Sequence, residues 1–221
     1  MTDLDRYIAA HTSSEDELLK ELDRATNLRV VQPRMISGHV QGCLLEMLVR
    51  MMKPHRVLEI GTFTGYSALC LAAGLEEGAF VDTIEIDDEL ESITREFMGR
   101  SPYGDKIRLH IGSAMEIVPS LGETFDLVYM DGDKREYPAY LQMLMGDVPS
   151  GTSEGRKPLV HSGSFILADN ILWAGKVVEP LATGDNHTRA ILRFNDMVVS
   201  DPRLEVVIIP IRDGLSIIRV R

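Results

Sequence analysis

Four short stretches hold residues whose types and spacing could do chemistry. LEIGTFTGYS, Leu58 to Ser67, runs from an apolar segment into a turn carrying Gly61 and Gly65. Glycines at a strand-to-helix turn let a backbone approach a ligand closely, and the helix start offers free N–H groups. TIEID follows about one βαβ spacing later and ends its strand on Glu85, placed to accept hydrogen bonds from both hydroxyls of a ribose. MDGDK supplies Asp131 and Lys134, and LADN supplies Asp169 and Asn170. Asp131, Asp169 and Asn170 are hard oxygen donors, a set that suits Mg²⁺ or a similar cation better than zinc.

The glycine turn discriminates between adenosine-bearing ligands. A dinucleotide's pyrophosphate favours G-x-G-x-x-G, but here bulky Phe63 stands where the second glycine is needed. That pattern disfavours a nicotinamide-dependent oxidoreductase and suits S-adenosylmethionine, which carries no phosphate. Thr62 and Ser67 can supply hydroxyl or backbone contacts, and Glu59 can help hold the cationic end of that molecule.

Elements that would position these residues are visible in the apolar patterning. Short apolar runs at Arg56 to Ile60, Phe80 to Ile86, Ile107 to Ile111, Phe125 to Met130 and Ser164 to Ala168 alternate with helix-compatible stretches. This alternation predicts a parallel sheet with helices on both faces. In such sheets ligands bind at the carboxyl ends of the strands, where all four stretches fall. Leu204 to Pro210 and Leu215 to Val220 flank Arg212-Asp213-Gly214, whose Asp-Gly pair predicts a tight turn between antiparallel strands. The N-terminal third reads as helical, with Ser14 as N-cap for Glu15 to Ala25 and a second helix over Gln41 to Met52. Residues 1–53 are thus expected as N-terminal helices and 54–221 as the α/β core of a single domain. Pro149 to Pro158, polar and rich in Pro, Gly and Ser, reads as a surface loop.

Composition narrows the partners. The 221 residues are 44% hydrophobic, enough for a substantial core, and carry a formal charge of -11, which argues against nucleic acid. Two cysteines, Cys43 and Cys70, sit in apolar segments and support neither a disulfide framework nor a zinc site. The acidic N-terminus and the lack of a long apolar run predict a cytoplasmic protein with no membrane association.

Taken together, LEIGTFTGYS, TIEID, MDGDK with Tyr137 and Tyr140 behind it, LADNILWAGKV and the terminal PIRDGLSIIR resemble the cation-dependent O-methyltransferases of the catechol and caffeoyl-CoA type. The resemblance runs from about Met35 to the C-terminus. It implies a Rossmann-like class I methyltransferase fold: a seven-stranded, mostly parallel sheet closed by a C-terminal antiparallel hairpin. By position it implies a cofactor site of Ser37, Glu59, Gly61, Thr62, Ser67, Glu85, Ala114 and Asp131, with S-adenosylmethionine as methyl donor. It further implies a divalent cation, Mg²⁺ in the first instance, on Asp131, Asp169 and Asn170. Lys134 would be the general base beside Asp131, Trp173 would belong to the substrate pocket, and the chain would form a homodimer. The acceptor would be a phenolic vicinal diol. A non-catalytic protein that binds S-adenosylmethionine is the competing expectation, and it predicts loss of the metal ligands or the base; all four residues are present.

Overall fold

The computed structural model describes residues 2–147 and 157–221. Its seven strands lie in the order β3-β2-β1-β4-β5-β7-β6. They are β1 (Arg56–Ile60), β2 (Phe80–Glu85), β3 (Ile107–Ile111), β4 (Phe125–Met130), β5 (Val160–Asp169), β6 (Leu204–Ile209) and β7 (Leu215–Val220). The sheet is mostly parallel, with antiparallel pairing at β7, as the alternation and the Asp-Gly signal predict. The helices are α1 (Asp3–Ala10), α2 (Glu17–Arg29), α3 (His39–Met52), α4 (Tyr66–Gly74), α5 (Glu91–Arg100), α6 (Ala114–Ser120), α7 (Tyr137–Met145) and α8 (Asn186–Ser200).

The chain divides into two compact units, one of Met1–His55 with Thr62–Gly112 and the other of Arg56–Gly61 with Ser113–Arg221. In the first, α4 is apolar all round and buries nearly every residue, the mark of a helix enclosed by other elements. In that unit α2 begins later than Ser14 suggests. Asp16 is the N-cap, its carboxylate accepting the Leu18 N–H at 2.8 Å, and the helix runs on to Arg29. The Ser14–Glu17 spacing mimics a capping box, but Asp16 directly precedes the helix and its carboxylate takes the first-turn N–H.

In the second unit β1, β4 and β5 run parallel, with Ile60 level with Met130 and Met130 level with Ala168. The next residue of each strand is therefore Gly61, Asp131 and Asp169. Three side-chain positions that are far apart in sequence become neighbours by register alone. β5 is longer than Ser164 to Ala168 because its first part is irregular: Phe125 pairs with Val160, yet Leu127 pairs with Phe165. Ser164 stabilises the irregular stretch, its hydroxyl donating to the Phe125 carbonyl and accepting the His161 N–H. Polar HSGS can therefore sit inside a strand whose remainder is buried. Of the loop expected over Pro149 to Pro158, only Lys157 and Pro158 are described, both exposed and outside regular structure; the rest lies outside the described residues.

Gly61 is required by packing. Its φ is +100°, and a Cβ there would stand 2.6 Å from the Asp131 carbonyl oxygen. The end of β1 thus lies directly against the peptide that carries Asp131. Gly61→Ala should destabilise the protein by about 3 kcal/mol, from backbone strain and overpacking together. In thermal denaturation this is a fall in Tm of roughly 5–10 °C for a chain of this size; an unchanged Tm would contradict the packing described.

Candidate active site

In the first unit the turn after β1 is built around a carboxylate. Gly65 closes the turn by donating to the Thr62 carbonyl at 2.9 Å. Phe63 takes a left-handed φ of 52°, a conformation that glycine adopts without strain and phenylalanine does not. Glu85 holds it there: the Phe63 N–H donates to Glu85 Oε2 at 2.6 Å, while Thr94 donates to the Phe63 carbonyl at 3.0 Å. Oε1 of Glu85 accepts the Asp87 N–H at 2.9 Å. The carboxylate has about four lone-pair sites, so capacity for further donors remains. Burial raises the Glu85 carboxyl above its ordinary value, against the amides of Asp87 and Phe63. From α2, Thr26 adds a buried hydroxyl bond to Thr64 at 3.0 Å. Ser37, Thr62 and Ser67 are buried in the same unit, Ser37 just before α3 and Ser67 in the first turn of α4.

In the second unit Glu59 is fully buried in β1, and Ala114 opens α6. The acidic pair dominates. Asp131 Oδ1 accepts from Lys134 Nζ at 2.6 Å, and the same ammonium donates to the Gly132 carbonyl at 3.1 Å. Lys134 is itself buried and lies over the Tyr137 ring at 5.2 Å. Its offset of three from Asp131 places it in a 3₁₀ turn, Lys134–Glu136, capped by Asp133. Asp169 is buried, with Oδ2 accepting from the Tyr129 hydroxyl at 3.0 Å and Oδ1 accepting the Asn170 N–H at 2.8 Å. The Tyr137 hydroxyl is shared between the carbonyls of Met130 at 2.8 Å and Asp169 at 3.0 Å, tying together the ends of β4 and β5. Burial raises the Asp131 carboxyl from 3.8 to about 6; Asp169 adds to the rise, while Lys134 and Arg212 oppose it. Burial, followed by the charge of Asp131, raises both tyrosine hydroxyls and keeps them as donors.

Past Asp169 the backbone is unusual. Asn170, Trp173 and Ala174 all have positive φ, between 48° and 59°, and Gly175 continues at 80°. The Trp173 ring stacks on His187, with centroids 5.7 Å apart and planes 14° from parallel. Asn195 on α8 donates to the Ile171 carbonyl at 3.1 Å. Among the described residues no three His, Cys, Asp or Glu side chains group to hold a metal. The oxygen set is two carboxylates and the Asn170 amide.

The sequence profile of the O-methyltransferase family matches residues 9–221. The chain belongs to the O-methyltransferase family. Tapetum-specific methyltransferase 1 of Arabidopsis thaliana is 33% identical over 227 residues, covering 98% of this chain and 92% of its own. Caffeoyl-CoA O-methyltransferase of Stellaria longipes is 27% identical, covering 93% of this chain and 84% of its own. The O-methyltransferase of Bacillus cereus, solved in complex with SAH, superposes with a TM-score of 0.85 at 26% identity, over 100% of this chain and 98% of that one.

In this O-methyltransferase the second unit brings Asp131, Lys134, Asp169 and Asn170 to neighbouring strand ends, as their motifs predict. Two contributors are missed by motif reasoning: Tyr129, which donates to Asp169, and Asp213, which bonds the backbone of the loop carrying Trp173. Tyr129 reads as one more apolar strand residue, and Asp213 as a turn former; Tyr129 pairs with Leu167, two residues before Asp169, and its hydroxyl reaches Asp169 from there.

Asp131 gives the O-methyltransferase a definite pH response. Between about pH 4 and about pH 6 the folded chain keeps a proton on Asp131 that the unfolded chain has released, so this group's contribution to stability falls as pH rises through that window. Urea unfolding without added metal, at about pH 4.5 and about pH 6.5, should show a larger loss for wild type than for Asp131→Asn. Equal losses would contradict the shift.

Proposed function

We propose that the chain transfers a methyl group from S-adenosylmethionine to one hydroxyl of a catechol-like or caffeoyl-type vicinal diol, with a divalent cation at Asp131, Asp169 and Asn170. The observation that supports this reading is the register of β4 and β5, which brings Asp131 and Asp169 to adjacent strand ends, with Lys134 at Asp131 and Asn170 next in the chain. Family membership supports the reaction class. SAH, the demethylated form of the donor, in the Bacillus cereus structure supports the cofactor, and the name of the Stellaria longipes relative supports the acceptor class.

The donor set fits a hard cation. Two carboxylates and an amide oxygen leave room for the two adjacent oxygens of a diol and for water, whereas zinc would call for nitrogen or sulfur. Asp169 is oriented by Tyr129 and by the Asn170 N–H. When bound, such a cation lowers the pKa of a coordinated hydroxyl, and a phenol needs this because it titrates near pH 10 unaided. S-adenosylmethionine supplies an electrophilic methyl group on a sulfonium.

The chain's own residues do the rest. Glu85 accepts the ribose hydroxyls on the lone pairs that Phe63 and Asp87 leave open. Glu59, Gly61, Thr62, Ser67, Ser37 and Ala114 are assigned to the remainder of the donor. Lys134 takes the phenolic proton onto Nζ in a step that starts from the neutral amine, and Asp131 and the Gly132 carbonyl orient it. Trp173 is assigned to offer a flat apolar face to an aromatic acceptor.

The test is a transfer assay over catechol and a caffeoyl thioester, with Mg²⁺ or with chelator. Transfer is expected with Mg²⁺ and its loss with chelator; full turnover with chelator present would overturn the cation's role. Glu85→Ala should raise the SAH dissociation constant by about tenfold or more, since it removes hydrogen bonds to a charged group. An unchanged constant in calorimetry would remove Glu85 from the ribose. Lys134→Ala should lower kcat by about 10²-fold or more while leaving SAH binding near wild type, and the reverse pattern would deny it the role of base.

A further inference from the structure

The loop that follows β5 does not hold its shape by itself. Asn170, Trp173 and Ala174 all occupy the left-handed region, where residues other than glycine are strained. A run of such residues persists only where outside contacts fix it. Those contacts come chiefly from the turn between β6 and β7. The Leu172 N–H donates to the Asp213 carbonyl at 2.9 Å, and the Ala174 N–H donates to the Asp213 carboxylate at 2.5 Å. Gly214 accepts the Ile171 N–H at 3.3 Å and lies so close that a Cβ on it would clash with Leu172 Cγ. One residue, Asp213, therefore grips the loop on both sides of Trp173, by main chain and by side chain.

The grip is not what an Asp-Gly turn requires. An aspartate that merely shapes its own turn bonds backbone within that turn, whereas this carboxylate reaches a residue 39 positions earlier in the chain. The left-handed residues of the turn are Arg212, at φ 49°, and Gly214, at φ 87°, so Asp213 itself does not supply the unusual backbone angle. Its side chain is committed to the loop.

We propose that Asp213 is a positioning residue for the methyl acceptor: by bonding the N–H groups of Leu172 and Ala174 it fixes the Trp173 ring against His187 and sets the backbone that follows Asn170. The inference rests on the reading of Trp173 as part of the acceptor pocket. It predicts that Asp213 governs acceptor binding and leaves the donor's affinity alone. The carboxylate oxygen is the operative atom, so an amide at this position, which keeps one acceptor oxygen, should restore most of the function.

Trp173 is the only tryptophan of the chain, so its fluorescence reports the loop directly. Asp213→Ala and Asp213→Asn should be compared with wild type in emission maximum, acrylamide quenching, acceptor KM, kcat and SAH dissociation constant. In Asp213→Ala, Trp173 should become more quenchable and acceptor KM should rise by about tenfold, the loss of one charge-assisted bond, with SAH affinity unchanged. Asp213→Asn should stay within about threefold of wild type in KM, since it retains a neutral hydrogen bond. Wild-type quenching and KM in Asp213→Ala would overturn the proposal. So would an equal rise of acceptor KM and SAH dissociation constant in both variants, which marks general damage to the fold. If wild type methylates no vicinal diol, the functional reading fails, yet the quenching of Trp173 still decides whether Asp213 holds the loop.

Discussion

Asp131 and Asp169 stand one residue past Met130 and Ala168, which the parallel register of β4 and β5 places level with each other. Two carboxylates brought this close in a setting short of water repel each other, and burial penalises both charges. The surrounding arrangement offsets that penalty. Lys134 supplies positive charge to Asp131, Tyr129 and the Asn170 backbone N–H donate to Asp169, and Tyr137 fixes the two strand ends through their carbonyls. Even so, the Asp131 carboxyl is driven up to about 6, chiefly by burial, with Asp169 adding to the rise and Lys134 opposing it. The proposed divalent cation would add positive charge beside the two carboxylates.

The glycine turn shows a different economy. Phe63 stands where a pyrophosphate-binding turn needs glycine, and its structural part is as informative: it adopts the left-handed conformation that glycine would give freely, held by Glu85. The acid assigned to the ribose is thus also the brace of the turn. Loss of Glu85 would affect the shape of the turn as well as ligand contacts, so its affinity measurement reads both together. Gly61, in turn, is fixed by the Asp131 peptide against it, which links the first motif to the third through packing within one unit.

Much of this was legible in the sequence. Apolar runs bounded by turn residues gave six of the seven strands to within a residue at each end, because buried strands must be apolar along most of their length. The catalytic-type residues could be placed because they follow those runs immediately. What escaped was set by tertiary contact. The start of β5 carries HSGS, whose polarity hides a strand that Ser164 stabilises through Phe125. The N-cap of α2 went to Asp16 rather than Ser14, a choice between two adequate caps that local pattern cannot make. Tyr129 looks apolar in the strand pattern, and its donation to Asp169 exists only once β4 and β5 are paired. The left-handed residues Asn170 and Trp173 to Gly175 have no sequence signature, since the loop that carries them is held by Asp213 and Gly214.

The central claim is that the acidic cluster binds one divalent cation, and direct binding tests it without reference to turnover. Mn²⁺ titrated into the apo protein, followed by the loss of the free-ion electron paramagnetic resonance signal, should show one site per chain. Asp169→Ala, which removes a ligand but leaves the Asp131–Lys134 pair, should abolish that site. Absence of stoichiometric binding to wild type, or equal binding to Asp169→Ala, would contradict the account.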